Sequence, residues 1–272
     1  MKITTVSAIY FSATGKTRQV VTTLASTVAQ ARNLPMKTVD FTLPAARTEH
    51  HTFTSQDLVI FGTPTYAGKV PNKLLPFVQS GLIGNDALAV PIVTFGNRSY
   101  DNALAELCTS LEHAGFHTFA AGAFACQHAF SNLLATGRPD REDLATLAQF
   151  GAAIVDKLDT MTQIPAPIAV DGDADAPYYR PLGLDGTPKN FLKAKPATDW
   201  NRCTGCGRCA TVCPMGAITP SAVVTGVCIK CHACVRNCPV GAKYFDDAAF
   251  LSHKAMLERD YTRRRAQVTL FL

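Results

Sequence analysis

Eight of the ten cysteines in this 272-residue chain fall between Cys203 and Cys238, and their spacing constrains the chain more than any other feature. Cys203, Cys206, Cys209 and Cys213 form C-x2-C-x2-C-x3-C, closed by Pro214; Cys228, Cys231, Cys234 and Cys238, closed by Pro239, repeat it position for position. Such a repeat is an internal duplication. A disulfide framework belongs to small secreted domains, and a chain of this length, opening Met1-Lys2-Ile3-Thr4-Thr5-Val6 without an apolar export segment, reads otherwise. Three thiolates at x2 spacing reach three corners of a cubane from one tight loop, while the fourth must arrive from another segment. In this pattern the fourth cysteine of each run ligates the other run's cluster. The expected sets are therefore Cys203, Cys206, Cys209 and Cys238 for one 4Fe-4S cluster, and Cys228, Cys231, Cys234 and Cys213 for the other. Zinc would be served by two C-x2-C pairs around one tetrahedral ion, which this pattern overshoots.

Charge narrows the choice of partners. The net +5 divides into 12 Lys+Arg against 11 Asp+Glu in residues 1–158, and 14 against 10 in residues 159–272. Each oxidised four-iron cluster with its thiolates would bring roughly −2, so the C-terminal excess vanishes on loading. The composition thus offers no nucleic-acid partner. No apolar run is long enough for a membrane span, and the expected location is cytoplasmic.

The first 158 residues alternate strand and helix signals, the pattern of a parallel sheet covered on both faces. Ile3 to Phe11, Val39 to Phe41, Leu58 to Gly62, Leu88 to Phe95 and Thr118 to Cys126 read as five strands. Val20, Val21, Leu24, Ala25, Val28 and Ala29 mark a helix after Gly15; others are expected over Ala103–Ala114 and from Asp140, which can cap. Six prolines then crowd residues 160–198, the signature of an extended connector. A helix is expected from Asp246, ending at Arg263, Arg264 and Arg265. Cys108 and Cys126 carry no motif and read as small buried residues.

Three loops leave the expected carboxyl ends of the strands. Ser12-Ala13-Thr14-Gly15-Lys16-Thr17 holds Gly-Lys-Thr but lacks the earlier glycine of a triphosphate loop, since Tyr10 stands there. Hydroxyls and amides at a helix start remain, suited to a terminal phosphate. Pro64, Thr65, Tyr66, Ala67 and Gly68 follow the third strand; Phe95, Gly96, Asn97, Tyr100 and Asp101 belong to the loop after the fourth. Ligands bind at such loops in open α/β sheets.

Residues Trp200 to Phe245 resemble bacterial ferredoxins with two four-iron clusters, and the three loops resemble flavodoxin. The whole is most similar to fusions of a flavodoxin-like domain with a ferredoxin-like one. The resemblance implies a flavodoxin-like doubly wound five-stranded parallel α/β sheet and a C-terminal α+β ferredoxin-like domain. The expected divisions are an FMN-binding domain over 1–159, a Pro-rich linker over 160–198, and a two-cluster domain with a C-terminal helix and tail over 199–272. It further implies FMN, with Ser12 to Thr17 on its phosphate and residues 64–68 and 95–101 flanking the ring and ribityl, Tyr66 or Tyr100 offering an aromatic face. The expected activity is electron transfer between the two clusters and FMN, and on to a redox partner protein. Alternatives are an FMN-dependent reductase of a small substrate fed by the clusters, and a redox-sensing binding protein.

Overall fold

A computed structural model describes residues 2–272. The chain begins β1 (Thr5–Tyr10), α1 (Lys16–Ala31), β2 (Met36–Asp40), a 3-10 turn (Pro44–Arg47), β3 (His51–Thr52) and β4 (Asp57–Pro64). It continues α2 (Leu75–Ser80), β5 (Leu82–Ile83), β6 (Ala87–Phe95), α3 (Ala103–His113), β7 (Phe116–Thr118), β8 (Ala121–Ala125) and α4 (Arg141–Thr160). After a long stretch without regular structure come β9 (Ala197–Thr198), α5 (Arg208–Thr211), α6 (Ala233–Arg236), β10 (Lys243–Tyr244), α7 (Ala248–Tyr261) and β11 (Thr269–Phe271).

The main sheet runs β2-β1-β4-β6-β8, all parallel, a doubly wound order consistent with the parallel sheet expected from the alternating pattern. Its central strands are buried on both sides, so they read as continuous apolar runs rather than as alternation. One face packs Phe11, Phe41, Phe61, Val93 and Leu107 toward α2 and α3; the other packs Ala8, Leu24, Val28, Ile60 and Ile154 toward α1 and α4. Asp140 caps α4, accepting the amides of Glu142 and Asp143 while Asp143 accepts from Asp140.

Three features depart from the sequence reading. The strand expected over Thr118 to Cys126 is broken into β7 and β8. Ala89 pairs with Thr118 and Ile92 with Gly122, so one extra residue is accommodated opposite Pro91. Proline has no amide to offer the ladder, and a bulge resolves the mismatch. Next, the segment 161–196 is strapped onto the first domain rather than hanging free. The Ile168 amide donates to Thr118 O at 2.9 Å, Tyr179 N donates to Ala67 O at 2.8 Å, and the buried Lys69 ammonium holds the carbonyls of Ala174 and Ala176.

Finally, the tail does not stay with the cysteine-rich part. β11 returns to the main sheet and pairs antiparallel with β8, Leu270 opposite Gly122. Asn97 anchors that return: its buried amide donates to Tyr261 O and Arg264 O at 2.7 and 2.8 Å and accepts from Ala266 N at 3.1 Å. Arg265 reaches Asp140 and Asp143 at the start of α4, holding the Asp140 carboxyl well below its ordinary range. The helix expected to end at Arg263 to Arg265 ends at Tyr261, and Arg264 and Arg265 are committed to partners within the chain.

Candidate functional site

The duplicated cysteine runs fold alike. Gly205, Gly207 and Gly216 take the left-handed backbone, and so do Lys230, His232 and Gly241, the equivalent positions of the second run. Those turns start α5 and α6, short helices that present the third cysteine of each run. The fourth cysteines are treated alike too: Ala217 N donates to Cys213 Sγ at 3.3 Å, and Ala242 N to Cys238 Sγ at 3.1 Å. Amide donors to sulfur stabilise a thiolate and, in a bound cluster, tune its potential.

All ten cysteines are free thiols, and the eight divide between two hollows of nearly equal size. One, about 360 Å³, is lined by Cys203, Cys206, Cys209 and Cys238; the other, about 350 Å³, by Cys213, Cys228, Cys231 and Cys234. The crossed arrangement, with each fourth cysteine at the other run's hollow, is what the fold places together. The thiols ring a space instead of meeting at a point, and among the described residues no group of three or more His, Cys, Asp or Glu is set to hold a metal ion. Burial pushes the Cys231 and Cys234 thiols up to about 12, so these groups would ionise only with strong positive charge beside them. Four sulfur donors around a small enclosed space fit a four-iron cluster. The outer hollow reaches solvent at Cys206, and Trp200 nearby in sequence is 62% exposed.

A groove lies at the carboxyl ends of β1, β4, β6 and β8. It has two adjoining chambers, about 530 and 790 Å³, that share Thr65, Tyr66, Gly96, His128 and Phe130. The inner end is walled by Ala13, Thr14, Lys16 and Thr17, and the amides of these four residues have no protein acceptor among the described residues. The Ser12 hydroxyl instead accepts Arg18 N at 2.9 Å and its own amide donates to Thr42 Oγ1 at 2.8 Å, which shapes the loop around those free donors. Thr65 Oγ1 is buried in the groove wall without a hydrogen-bond partner among the described residues. An orphaned hydroxyl costs about 1–3 kcal/mol, a debt that a bound polar ligand removes. Free amides at a helix start and an orphaned hydroxyl in a groove at the strand ends fit FMN.

Of the residues expected at this groove, Ala13, Thr14, Lys16, Thr17, Pro64, Thr65, Tyr66, Ala67, Gly68, Phe95 and Gly96 line it. Ser12 and Gly15 shape the loop from behind, Gly15 with a left-handed φ of 85°. Asn97, Tyr100 and Asp101 are placed elsewhere: Asn97 holds the tail, Tyr100 packs on Phe95 with ring centres 5.5 Å apart, and Asp101 pairs with Arg98. Gly96 is glycine for a protein reason, since a Cβ there would lie 2.1 Å from the His128 ring.

His128, which follows β8 and carries no motif, lines both chambers. Its Nδ1 accepts Phe130 N at 3.0 Å, which leaves the proton on Nε2. Burial, with His253, Arg236 and Arg98 around it, lowers its pKa to about 3 and keeps the ring neutral. Tyr179, Pro181 and Phe191 of the strap, and His253 and Leu257 of α7, close the outer chamber. These residues carry no motif; only the folding of the strap brings them in.

The outer chamber abuts the second hollow. Ile229 lines both, and Lys230 lines the groove beside it. Tyr66 is pushed well above its ordinary pKa by burial, with the Cys231 and Cys228 thiols adding to the effect. Arg236 in α6 clasps the two parts, donating to His128 O at 2.9 Å, Ala129 O at 3.0 Å and Ser131 O at 2.6 Å.

Comparison with known proteins agrees with this division. A flavodoxin domain family model matches residues 8–113, and 4Fe-4S binding domain models match 196–219 and 228–242. Among curated proteins, none matches the chain. Solved structures that are similar include a flavodoxin from the domain Archaea (12% identical, 57% of this chain and 99% of that one, TM-score 0.42). A short-chain flavodoxin associated with a non-canonical PDU bacterial microcompartment is 15% identical over 58% of this chain and 99% of that one, TM-score 0.40. Rubredoxin oxygen:oxidoreductase from Desulfovibrio gigas is 17% identical over 59% of this chain but 38% of that one, TM-score 0.35. At such scores the strand order, rather than the likeness, carries the fold. Matched segments, strand order and paired cysteine hollows together describe a flavodoxin domain followed by two ferredoxin-type 4Fe-4S segments, the make-up of a flavodoxin–ferredoxin fusion.

Proposed function

We propose that this chain is an electron-transfer flavoprotein that moves electrons between two 4Fe-4S clusters and FMN, and on to a redox partner. Cys203, Cys206, Cys209 and Cys238 would hold the outer cluster, and Cys228, Cys231, Cys234 and Cys213 the inner one. The amides of Ala13, Thr14, Lys16 and Thr17 would take the FMN phosphate, with residues 64–68 and 95–96 beside the ring. When bound, the clusters supply single-electron chemistry and FMN either one- or two-electron chemistry.

The observation that carries this reading is Ile229, one side chain shared by the groove and the inner hollow. Cys209, Cys234, Cys203 and Cys213 pack in one apolar cluster between the two hollows, so the three sites follow one another in space. The chain's own work is to hold that order: Arg236 clasps the inner run to the groove, and the strap and α7 wall the chamber beside the junction. The exposed Cys206 edge is the face offered to the partner.

The test is anaerobic reconstitution of the full chain. About eight irons, eight sulfides and one FMN per chain are expected. A Cys231→Ser variant that still binds FMN should show much slower bleaching of flavin absorbance by a one-electron donor docking at the cysteine-rich face. Unchanged bleaching, or stoichiometric zinc in place of iron, overturns the reading.

A further inference from the structure

The two cysteine runs match in backbone, but two left-handed positions that are glycine in the first run, Gly205 and Gly207, carry side chains in the second, Lys230 and His232. Gly207 and His232 occupy equivalent places, each with a left-handed φ (69° and 62°) and each starting a short helix. Glycine adopts that conformation freely, whereas an L side chain pays roughly 1–2 kcal/mol. His232 bears a second cost. Its side chain is almost wholly buried, and Nε2 is sealed from solvent with no hydrogen-bond partner among the described residues. A buried polar group left so costs about 1–3 kcal/mol. Both costs fall on one residue, and neither exists at Gly207. Lys230 shares the left-handed backbone, but its ammonium is hydrogen-bonded, so the buried unpartnered nitrogen sets His232 apart and points to a role there.

The ring is held in place rather than loosely packed. It stacks on Phe245 at 4.6 Å and 14°, and also meets Phe250 at 5.4 Å and Phe130 at 4.8 Å. Those aromatic neighbours supply no acceptor. His232 lies in the wall of the inner hollow together with Cys213, Cys228, Cys231 and Cys234, and also in the wall of a neighbouring hollow with Phe130, Phe245 and Phe250. Sulfur in a bound cluster is the acceptor that such a site would gain.

We propose that His232 donates a hydrogen bond from Nε2 to the cluster held at the inner hollow, and so makes that cluster easier to reduce than it would be without this donor. The inference rests on the cluster assignment given above. Reduction adds negative charge, and a fixed donor stabilises the more negative state. The outer hollow has only Gly207 at this place, so the duplication yields two clusters with different surroundings, the donor lying on the side of the groove. His232 is thus a positioning residue that sets a potential.

The test is a redox titration of the anaerobically reconstituted full chain, following both reduced clusters by electron paramagnetic resonance, with iron and sulfide counted in each sample. His232→Gly adopts the left-handed backbone that Gly207 already shows. One of the two midpoints should fall, by about tenfold in the one-electron equilibrium or about 59 mV, while the other stays. Added imidazole should restore part of the shift. The sign is informative, because water admitted by the smaller residue would raise the potential. Two unmoved midpoints, a parallel shift of both, or a rise overturns the proposal. If the unmutated chain lacks about eight irons, the cluster assignment itself fails and this inference with it. Where His232→Gly loses iron, electron–nuclear double resonance on the unmutated, histidine-15N-labelled chain decides. Nitrogen coupling to one reduced cluster supports the hydrogen bond, and its absence from both overturns it.

Discussion

Thr65 and His128 face the same groove with opposite consequences. Replacing Thr65 by Val removes an unpaired buried hydroxyl without changing shape. The FMN-free chain should therefore melt at a higher temperature, while FMN binding, read by quenching of flavin fluorescence, should weaken roughly tenfold as the ligand loses a donor or acceptor. A gain in both would mean that the hydroxyl does not face the ligand. His128 is neutral in the fold because its pKa is lowered to about 3, first by burial. Above pH 6.5 the ring is neutral in folded and unfolded chains alike and contributes no pH dependence. As pH falls below 6.5, the unfolded chain takes up a proton that the folded one refuses, and stability declines. Between pH 7 and 5 the parent should lose on the order of 1 kcal/mol more than His128→Asn, measured by denaturant midpoints. At this scale the eight cysteines were legible because cluster chemistry imposes a rigid local spacing. Thr65 was expected beside the ligand, but its unpartnered hydroxyl and the surroundings of His128 and His232 were not legible, since they exist only after distant segments close around them. Asn97, Tyr100 and Asp101 illustrate the converse: the loop's position was readable, but which side chains turn inward was decided by the returning tail and by Arg98.

Elements followed the same rule. Five parallel strands came through because β1, β4, β6 and β8 are short apolar runs buried on both faces, while the exposed edge strand β2 left only a weak signal. The break between β7 and β8 was concealed, although Pro91 was visible, because its consequence falls on the neighbouring strand. β11 was also missed: three residues near the end of a chain carry no pattern, and pairing with β8 gives them their conformation. Asn97→Ala tests how strongly the tail is held. It would leave the Tyr261 and Arg264 carbonyls and the Ala266 amide unpaired, at a cost of about 2–4 kcal/mol. Denaturant unfolding should show that loss, and proteolysis should release residues near the C terminus sooner. Equal protection in parent and variant would show that β11 is held by the ladder alone.

Across the molecule, the two parts form a joined redox assembly rather than beads on a string. Prolines in 160–198 suggested an extended connector, and extended it is, yet it is strapped down by Lys69, Asn102 and Thr118 and helps to wall the groove. Arg236 clasps the inner cysteine run to residues 128–132. Arg236→Gln should speed amide hydrogen exchange in both segments without altering exchange in β1 or β4; unchanged exchange at the clasp would assign the docking to α7 instead. The central claim is one of sequence in space: outer hollow, inner hollow, groove, with Ile229 between the last two. A crystal of the fully loaded chain, with iron located by its anomalous scattering, measures this most directly. The account predicts iron at both cysteine hollows and the flavin ring packed against Ile229, nearer the inner iron than the outer. A ring bound away from Ile229, or iron ligated within each run rather than across the two, would contradict it.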